Sequence, residues 1–458
     1  MIDTMELLAR HVLFPLQARW EGNSVGRHLA ALERSQWLPP DEIAALQLRK
    51  LTRLVDHAYA ASPFYRERLG AVGFRPGDLT SREQLMALPV VTKADIRNHR
   101  EAMLTGDHPV ASLAADKTGG STGQPLHFHR TWDRSWSRAA AAIRHDRWVG
   151  WEIGRKAAYV WGHRGDLAGA GSLRKRLRRT FLERRIILDT STLTGERFAG
   201  FRRTLLAYRP CVYIGYANSV FLYARFLEET GGDYHRPEAI ITSAEVLDPD
   251  RRAVIERVFG CRVFDRYGSR ETGVIASECE AHEGLHMCAE NLLVEMVKGG
   301  GPAAPGERGR VLVTDLENPA MPFIRYEIGD VATPMAPGVC ACGRGLPRLE
   351  VAAGRVTDFL VTPEGGIISG ASLTIYLIAN APGVAQAQLV QDDPARLLIR
   401  VVPGEGYGSA TLDFFAEQIP RFFGPRVTWD VEPVTEIPCE ASGKYRFSVS
   451  SIDPATMF

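Results

Sequence analysis

No stretch of this 458-residue chain is long and apolar enough to cross a bilayer, which takes about 18 or more consecutive apolar residues. An excess of one charge is also missing. The 55 Lys+Arg stand against 54 Asp+Glu, a formal net charge of +1, so capture of nucleic acid through bulk charge is excluded as a reading. Cysteine is sparse, with seven residues. An odd count in a long chain argues against a disulfide scaffold and for a reducing, cytoplasmic compartment. The opening segment MIDTMELLARHVLFPLQARW carries Asp3 and Glu6 and has no small-residue cleavage site after an apolar run. It therefore reads as an amphipathic helix rather than a signal peptide. No internal repeat is visible.

What is there is ordinary globular material: 45% hydrophobic and 24% charged residues. At roughly 150 residues per domain the length suggests about two to three domains. The 43 Gly and 27 Pro fit the many turns of an α/β architecture. Residues 1–100 read as helical and connecting, with helical apolar spacing from Asp41 to Leu69 and a helix start after Thr92 as N-cap. From about residue 157 short apolar runs (AAYVWG, RIILD, CVYIGY, AIITSAE, CRVFDRYG) alternate with helical segments, the pattern of a parallel sheet. From about 285 the pattern turns β-rich (ENLLVEMV, GRVLVTD, PFIRYEIGDVATP), and a boundary near Gly354 and Arg355 precedes a small α+β region. The expected division is a large domain over 1–355 and a smaller one over 356–458.

The segment most informative about chemistry is KTGGSTGQPLHFHRT, Lys117 to Thr131. Three glycines and three hydroxyl residues between Thr118 and Gly123 suit close backbone approach to phosphate, with short side-chain donors. It is not a P-loop, because no lysine follows the last glycine. Taken alone it is a turn. Downstream, however, come ITSAEVLD, FDRYGSRETG, IRYEIGD, AGRVTDF and PCEASGKYRF, in that order. Together these motifs resemble the adenylate-forming superfamily of acyl-CoA synthetases, luciferases and peptide-synthetase adenylation domains. More narrowly they resemble the phenylacetate–coenzyme A ligase family and its capsular-polysaccharide-biosynthesis branch, over about Leu51 to Phe447.

The resemblance implies an α/β adenylate-forming fold: a large N-terminal domain with a β-rich subregion and a small mobile α+β domain. It implies ATP, Mg²⁺ and coenzyme A as reactants or cofactors, with a carboxylic acid and an acyl acceptor as small-molecule partners, no nucleic acid and no integral membrane association. It also suggests a homodimer, which no residue pattern here carries. Thr118, Gly119, Gly120, Ser121, Thr122 and Gly123 match the loop that holds the ATP phosphates. Ser243, Ala244 and Glu245 match the strand end beside the adenine. Asp265, Arg266, Tyr267, Gly268 and Ser269 match the nucleotide-binding tyrosine motif. Glu271 matches the acid that helps hold Mg²⁺, Asp330 the ribose-binding carboxylate, and Arg355 a second ribose contact. Lys444 matches the lysine that serves adenylation. The reaction gives these types a reason: a carboxylate attacks the α-phosphate, and catalysis is positioning plus neutralisation of a crowded anionic centre. Two departures stand out: Arg270 inside the tyrosine motif and Thr357 at the hinge. They leave open transfer to an amine or hydroxyl, and a member that binds nucleotide without turnover.

Cys279 with His282 (C-x₂-H) and Cys340 with Cys342 (C-x-C) offer four ligands of the types that Zn²⁺ takes in closed structural sites. The resemblance suggests the same metal, with His286 as the alternative imidazole. Trp161, His163, Tyr216 and Ala217, with Ser243, are candidates for the acyl pocket, since they sit at strand ends. LRKRLRRTFLERR, Leu173 to Arg185, has seven basic residues and one acid. It reads as a solvated basic helix, with an anionic ligand or an acidic membrane surface as the functional alternatives.

Overall fold

The computed structural model describes residues 3–118, 126–161, 177–190, 193–353, 359–370, 373, 377–437 and 447–452. Among the described residues, twelve strands join in one sheet. Its first half is parallel: Arg185–Asp189, Ala157–Trp161, Val212–Tyr216, Ala239–Ser243 and Arg262–Ser269 lie side by side in that order. Each run read as a strand from its apolar residues becomes one. Helices Gly195–Tyr208, Ala217–Thr230 and Pro249–Phe259 alternate with them along the chain and share their core. At Arg262–Ser269 the direction reverses, because Gly273–Glu278 returns antiparallel beside it. The sheet continues antiparallel through Leu285–Met287, Arg348–Ala353, Tyr326–Pro334, Gly309–Asp315 and Leu292–Lys298. A second core forms where the helices of the first hundred residues pack on this antiparallel half.

The helical spacing from Asp41 to Leu69 resolves into two helices, Pro40–Ala61 and Pro63–Ala71. Pro63 lacks an amide hydrogen and pushes Ser62 out of the helical region; Ser62 sits at φ −107° and ψ 121°. Thr92 is the N-cap expected: its hydroxyl accepts from the Asp95 amide while the Asp95 carboxylate accepts from Thr92 N–H, a reciprocal capping box. The opening segment is helical from Thr4 to Glu21, with one π-helical turn at Ala9–Leu13.

The C-terminal region holds a four-stranded sheet ordered Thr428–Pro433, Arg396–Pro403, Val384–Asp393 and Ser448–Ser450, with helix Ser409–Phe423 in its core. The hairpin Phe359–Val361 with Ile367–Ser369 lies between the cores. Successive strand residues point to opposite faces, so Ile368 joins the C-terminal core while Ile367 packs with the parallel half of the large sheet. Ile367 also exchanges backbone hydrogen bonds with Leu193.

Helix Trp132–Trp148 ties the two halves of the large sheet together. Arg134 pairs with Asp315 at 2.8 Å, Arg144 with Glu290 at 2.6 Å, and Asp146 with Arg266 at 2.6 Å. The first two pairs are fully buried, and breaking such a pair strands a charge at a cost of about 3–5 kcal/mol.

Candidate active site and thiol cluster

In parallel sheets ligands bind beyond the carboxyl ends of the strands, where the strand order or direction changes. Tyr216, Ser243 and the Arg266–Tyr267 pair occupy those ends in neighbouring strands. Ser243 Oγ donates to the Arg266 carbonyl at 3.1 Å. Ala244 follows in the left-handed region at φ +68°, a conformation that costs a non-glycine residue about 1 kcal/mol or more. Glu245 is buried and accepts the Asn218 amide at 2.8 Å; it therefore caps the start of helix Ala217–Thr230. Trp161 and Tyr216 meet ring to ring, centroids 4.5 Å apart, and Ala217 is fully buried.

The tyrosine motif makes the turn between the last parallel strand and its antiparallel neighbour. Gly268 is required by packing: a Cβ there would come within 2.7 Å of the Gly273 carbonyl oxygen. Ser269 and Thr272 hydroxyls pair at 3.0 Å. Tyr267 Oη donates to Asp330 Oδ2 at 2.8 Å, and Tyr326 Oη donates to Glu271 Oε1 at 2.9 Å. Two acids from separate motifs are thus each oriented by a phenol. Glu271 is buried, and a carboxylate oxygen is the hard donor that Mg²⁺ prefers.

Asp265 and Arg266 face inward to the scaffold. Asp265 accepts from Thr242 Oγ1 at 3.1 Å; burial, then the neighbouring Glu278 charge, pushes its carboxyl up to about 7. Arg266 is engaged by Asp146. Both are thus held by scaffold residues next to the site.

Two residues that motif reading passed over support the turn from below. Arg134 donates to the Thr272 carbonyl and Arg138 to the Arg270 carbonyl, both at 2.8 Å. Arg138 packs closely on Gly273, and its Nη1 has no partner among the described residues. Burial and the neighbouring Arg130 and Arg134 lower its pKa to about 9. The signal was present as arginines four apart on one helix face.

Thr118 closes the hairpin that carries the phosphate-loop candidate: its N–H donates to the Leu126 carbonyl at 3.0 Å and its Oγ1 accepts from Leu126 N–H at 2.9 Å. Gly119, Gly120, Ser121, Thr122, Gly123, His163, Arg355, Thr357 and Lys444 lie outside the described residues.

At the other end of the same strand pair, Cys279, His286, Cys340 and Cys342 converge, with all four ligand atoms within 4.8 Å of one another. The ligand set takes His286 and leaves out His282. His282, at φ +54°, turns its ring onto Phe264 and sets Nδ1 3.5 Å from Glu278. His286 lies on the strand that pairs with Gly273–Glu278. Its Nδ1 lies 3.2 Å from the Leu346 carbonyl, which makes Nδ1 the donor and points Nε2 at Cys342 Sγ, 3.4 Å away. A backbone partner on the second ring nitrogen is the usual orientation device for a metal-bound histidine. Cys279 and Cys340 sulfurs are 3.7 Å apart. Zn–S bonds of about 2.3 Å at the tetrahedral angle place two sulfurs about 3.8 Å apart, so the donor set fits that ion.

The architecture is that of the adenylate-forming coenzyme A ligases. It superposes on 2-hydroxyisobutyryl-CoA ligase in complex with 2-HIB-AMP and CoA at a TM-score of 0.61, with 21% identity and 91% of each chain covered; the postadenylation state of the same ligase gives 0.58 over 92% of each chain. The chain is similar to phenylacetate–coenzyme A ligases and to CapK. The Escherichia coli (strain K12) phenylacetate–coenzyme A ligase is 26% identical over 70% of this chain and 73% of its own. Protein CapK of Staphylococcus aureus is 22% identical over 90% of each. Residues 360–451 match the CapK C-terminal domain.

Proposed function

We propose that this chain is an AMP-forming acid–coenzyme A ligase. A carboxylate oxygen of the acid attacks the α-phosphorus of ATP, the α–β phosphoanhydride bond breaks, and pyrophosphate leaves. The coenzyme A sulfur then attacks the acyl carbon, its proton is lost to solvent or base, and AMP departs with the C–O bond electrons. The observation that carries this reading is the convergence of Ser243, Tyr267, Glu271 and Asp330 where the sheet reverses direction.

Within it, Asp330 holds the ribose hydroxyls by charge-assisted bonds, and Tyr267 orients that acid. Glu271 is the chain's contribution to Mg²⁺, whose charge offsets that of the phosphates. Arg138 holds the motif's turn from beneath. Residues 356–458 form the mobile domain, which delivers Lys444 to the acyl oxygen and α-phosphate. The Trp161 and Tyr216 rings suit an aromatic acid, in keeping with phenylacetate as the acid named for several relatives. A structural Zn²⁺ held by Cys279, His286, Cys340 and Cys342 belongs to the same proposal. It would join the Cys340–Cys342 turn to the sheet.

The test is pyrophosphate release from ATP across aromatic and aliphatic carboxylic acids, with and without coenzyme A. Acid-dependent release with thioester formation is expected. Thioester-free release that hydroxylamine or an amine accelerates would redirect the second step to another acceptor. ATP binding with no release for any acid would overturn the activity.

A further inference from the structure

The first turns of the chain present a surface that the ligase reaction does not use. Leu8, Val12, Leu16 and Trp20 recur every four residues along the helical run Thr4–Glu21, and all four are exposed, Leu16 at 59% and Trp20 at 71%. Four-residue steps drift around a 3.6-residue helix, and the wider π turn at Ala9–Leu13 offsets that drift. The result is one apolar stripe.

The opposite face is firmly docked. Asp3 pairs with Arg184, Arg10 with Glu152 at 2.9 Å, and Ala9 is fully buried. At Gly154 a Cβ would lie 2.7 Å from the Glu6 carbonyl oxygen, so the helix is seated as closely as backbone allows. The chain spends specific contacts on holding this stripe outward.

The turn Arg178–Glu183 packs beside Ala9–Leu13 and extends the apolar face with exposed Leu177 and Phe181. It brings the basic segment singled out in the sequence. From that segment Arg178 and Arg179 are described and exposed. Arg19 adds an exposed basic group along the helix. The neighbouring acids are engaged within the chain: Glu21 and Glu183 by Arg178, Asp3 by Arg184. Exposed apolar residues ending in an indole, flanked by arginines, are the composition of helices that lie in the plane of an anionic bilayer interface. In a two-fold dimer this face would meet itself and set arginine against arginine.

We propose that this face docks the enzyme on a membrane surface rich in anionic lipid, with the stripe in the headgroup layer and the arginines on lipid phosphates. Among the described residues no helix is long and apolar enough to span a membrane, so the attachment is peripheral.

The test is co-sedimentation of the full chain with phosphatidylcholine vesicles and with vesicles carrying phosphatidylglycerol. Binding to the anionic vesicles alone is expected, with release at about 0.5 M salt, where the Debye length falls to a few ångströms. Each arginine near such a surface is worth about fivefold in partitioning, so Arg19→Gln with Arg179→Gln should weaken binding about 25-fold. Leu16→Asp with Trp20→Ser should abolish it, while acid-dependent pyrophosphate release stays at the wild-type rate in both variants. Absence of sedimentation with anionic vesicles, or binding that neither variant alters, would overturn the proposal. So would a dimer that Leu16→Asp dissociates while lipid binding is absent; that result would give the face to a second copy.

Discussion

The strand pair Arg262–Ser269 and Gly273–Glu278 carries a different chemistry at each end. At the Ser269–Gly273 turn the groups are hydroxyls and carboxylates, the acids each oriented by a phenol. At the Glu278–Cys279 end three thiols and an imidazole face one another, closed in by Trp148, whose ring meets His286 edge-on at 5.7 Å. One helix, Trp132–Trp148, serves both: its early arginines hold the turn and its last residue packs on the cluster. The difference teaches that a single strand pair can carry hard oxygen donors at one end and soft ligands at the other. On the proposed function the first is the open, reactive end and the second the closed, structural one.

Four experiments would break or sharpen that contrast. The largest effect should come from Lys444→Ala, because the open end depends on a charge brought to it from elsewhere in the chain. Loss of acyl-adenylate formation by about 10²-fold or more is expected, with unchanged circular dichroism; unchanged pyrophosphate release would remove Lys444 from the mechanism. Next, Cys340→Ser should lower bound zinc from about one ion per chain to near none and lower Tm to that of chelator-stripped wild type. Adenylation at 25 °C should persist, since the closed end is structural; zinc well below one per chain in the wild type would end this reading.

Asp330→Ala should raise the KM for ATP far more than Tyr267→Phe does. The first removes the charged ligand with every hydrogen bond it makes, about 1.5–3 kcal/mol each, and the second removes a single orienting bond to it. Equal effects would mean that the pair is only a packing contact. The last prediction concerns stability, through Asp265 between the two ends. Its folded pKa is raised to about 7 by burial and by Glu278. The folded state therefore keeps a proton that the unfolded chain releases near pH 4. Stability should fall as pH rises from about 4 to about 7 and level off above. Asp265→Asn should flatten that segment of a urea-midpoint-versus-pH curve; a slope identical to wild type would show that Asp265 titrates normally.

Much of the scaffold is legible in the chain itself. Apolar runs such as CVYIGY and AIITSAE can be satisfied only by strands buried on both faces, and helices between them force a parallel sheet. Thr92 announces its cap, because a capping box needs only residues three apart. The ordered motifs name the residues around Tyr267 and Asp330, but their pairing joins positions sixty-three apart along the chain, which no local rule predicts. Asp265 and Arg266 stand in the motif as candidate ligands, and the fold adds contacts to Thr242 and Asp146 that the motif does not announce. His282 fits the C-x₂-H spacing, yet the cluster takes His286. Spacing reports proximity along the chain, whereas the antiparallel return from Glu278 to Leu285 decides which ring reaches the sulfurs. Local sequence determined the elements, their caps and the donor types available. Tertiary structure alone decided which donors meet, because those contacts depend on strand register and on the helix clamped across both halves of the sheet.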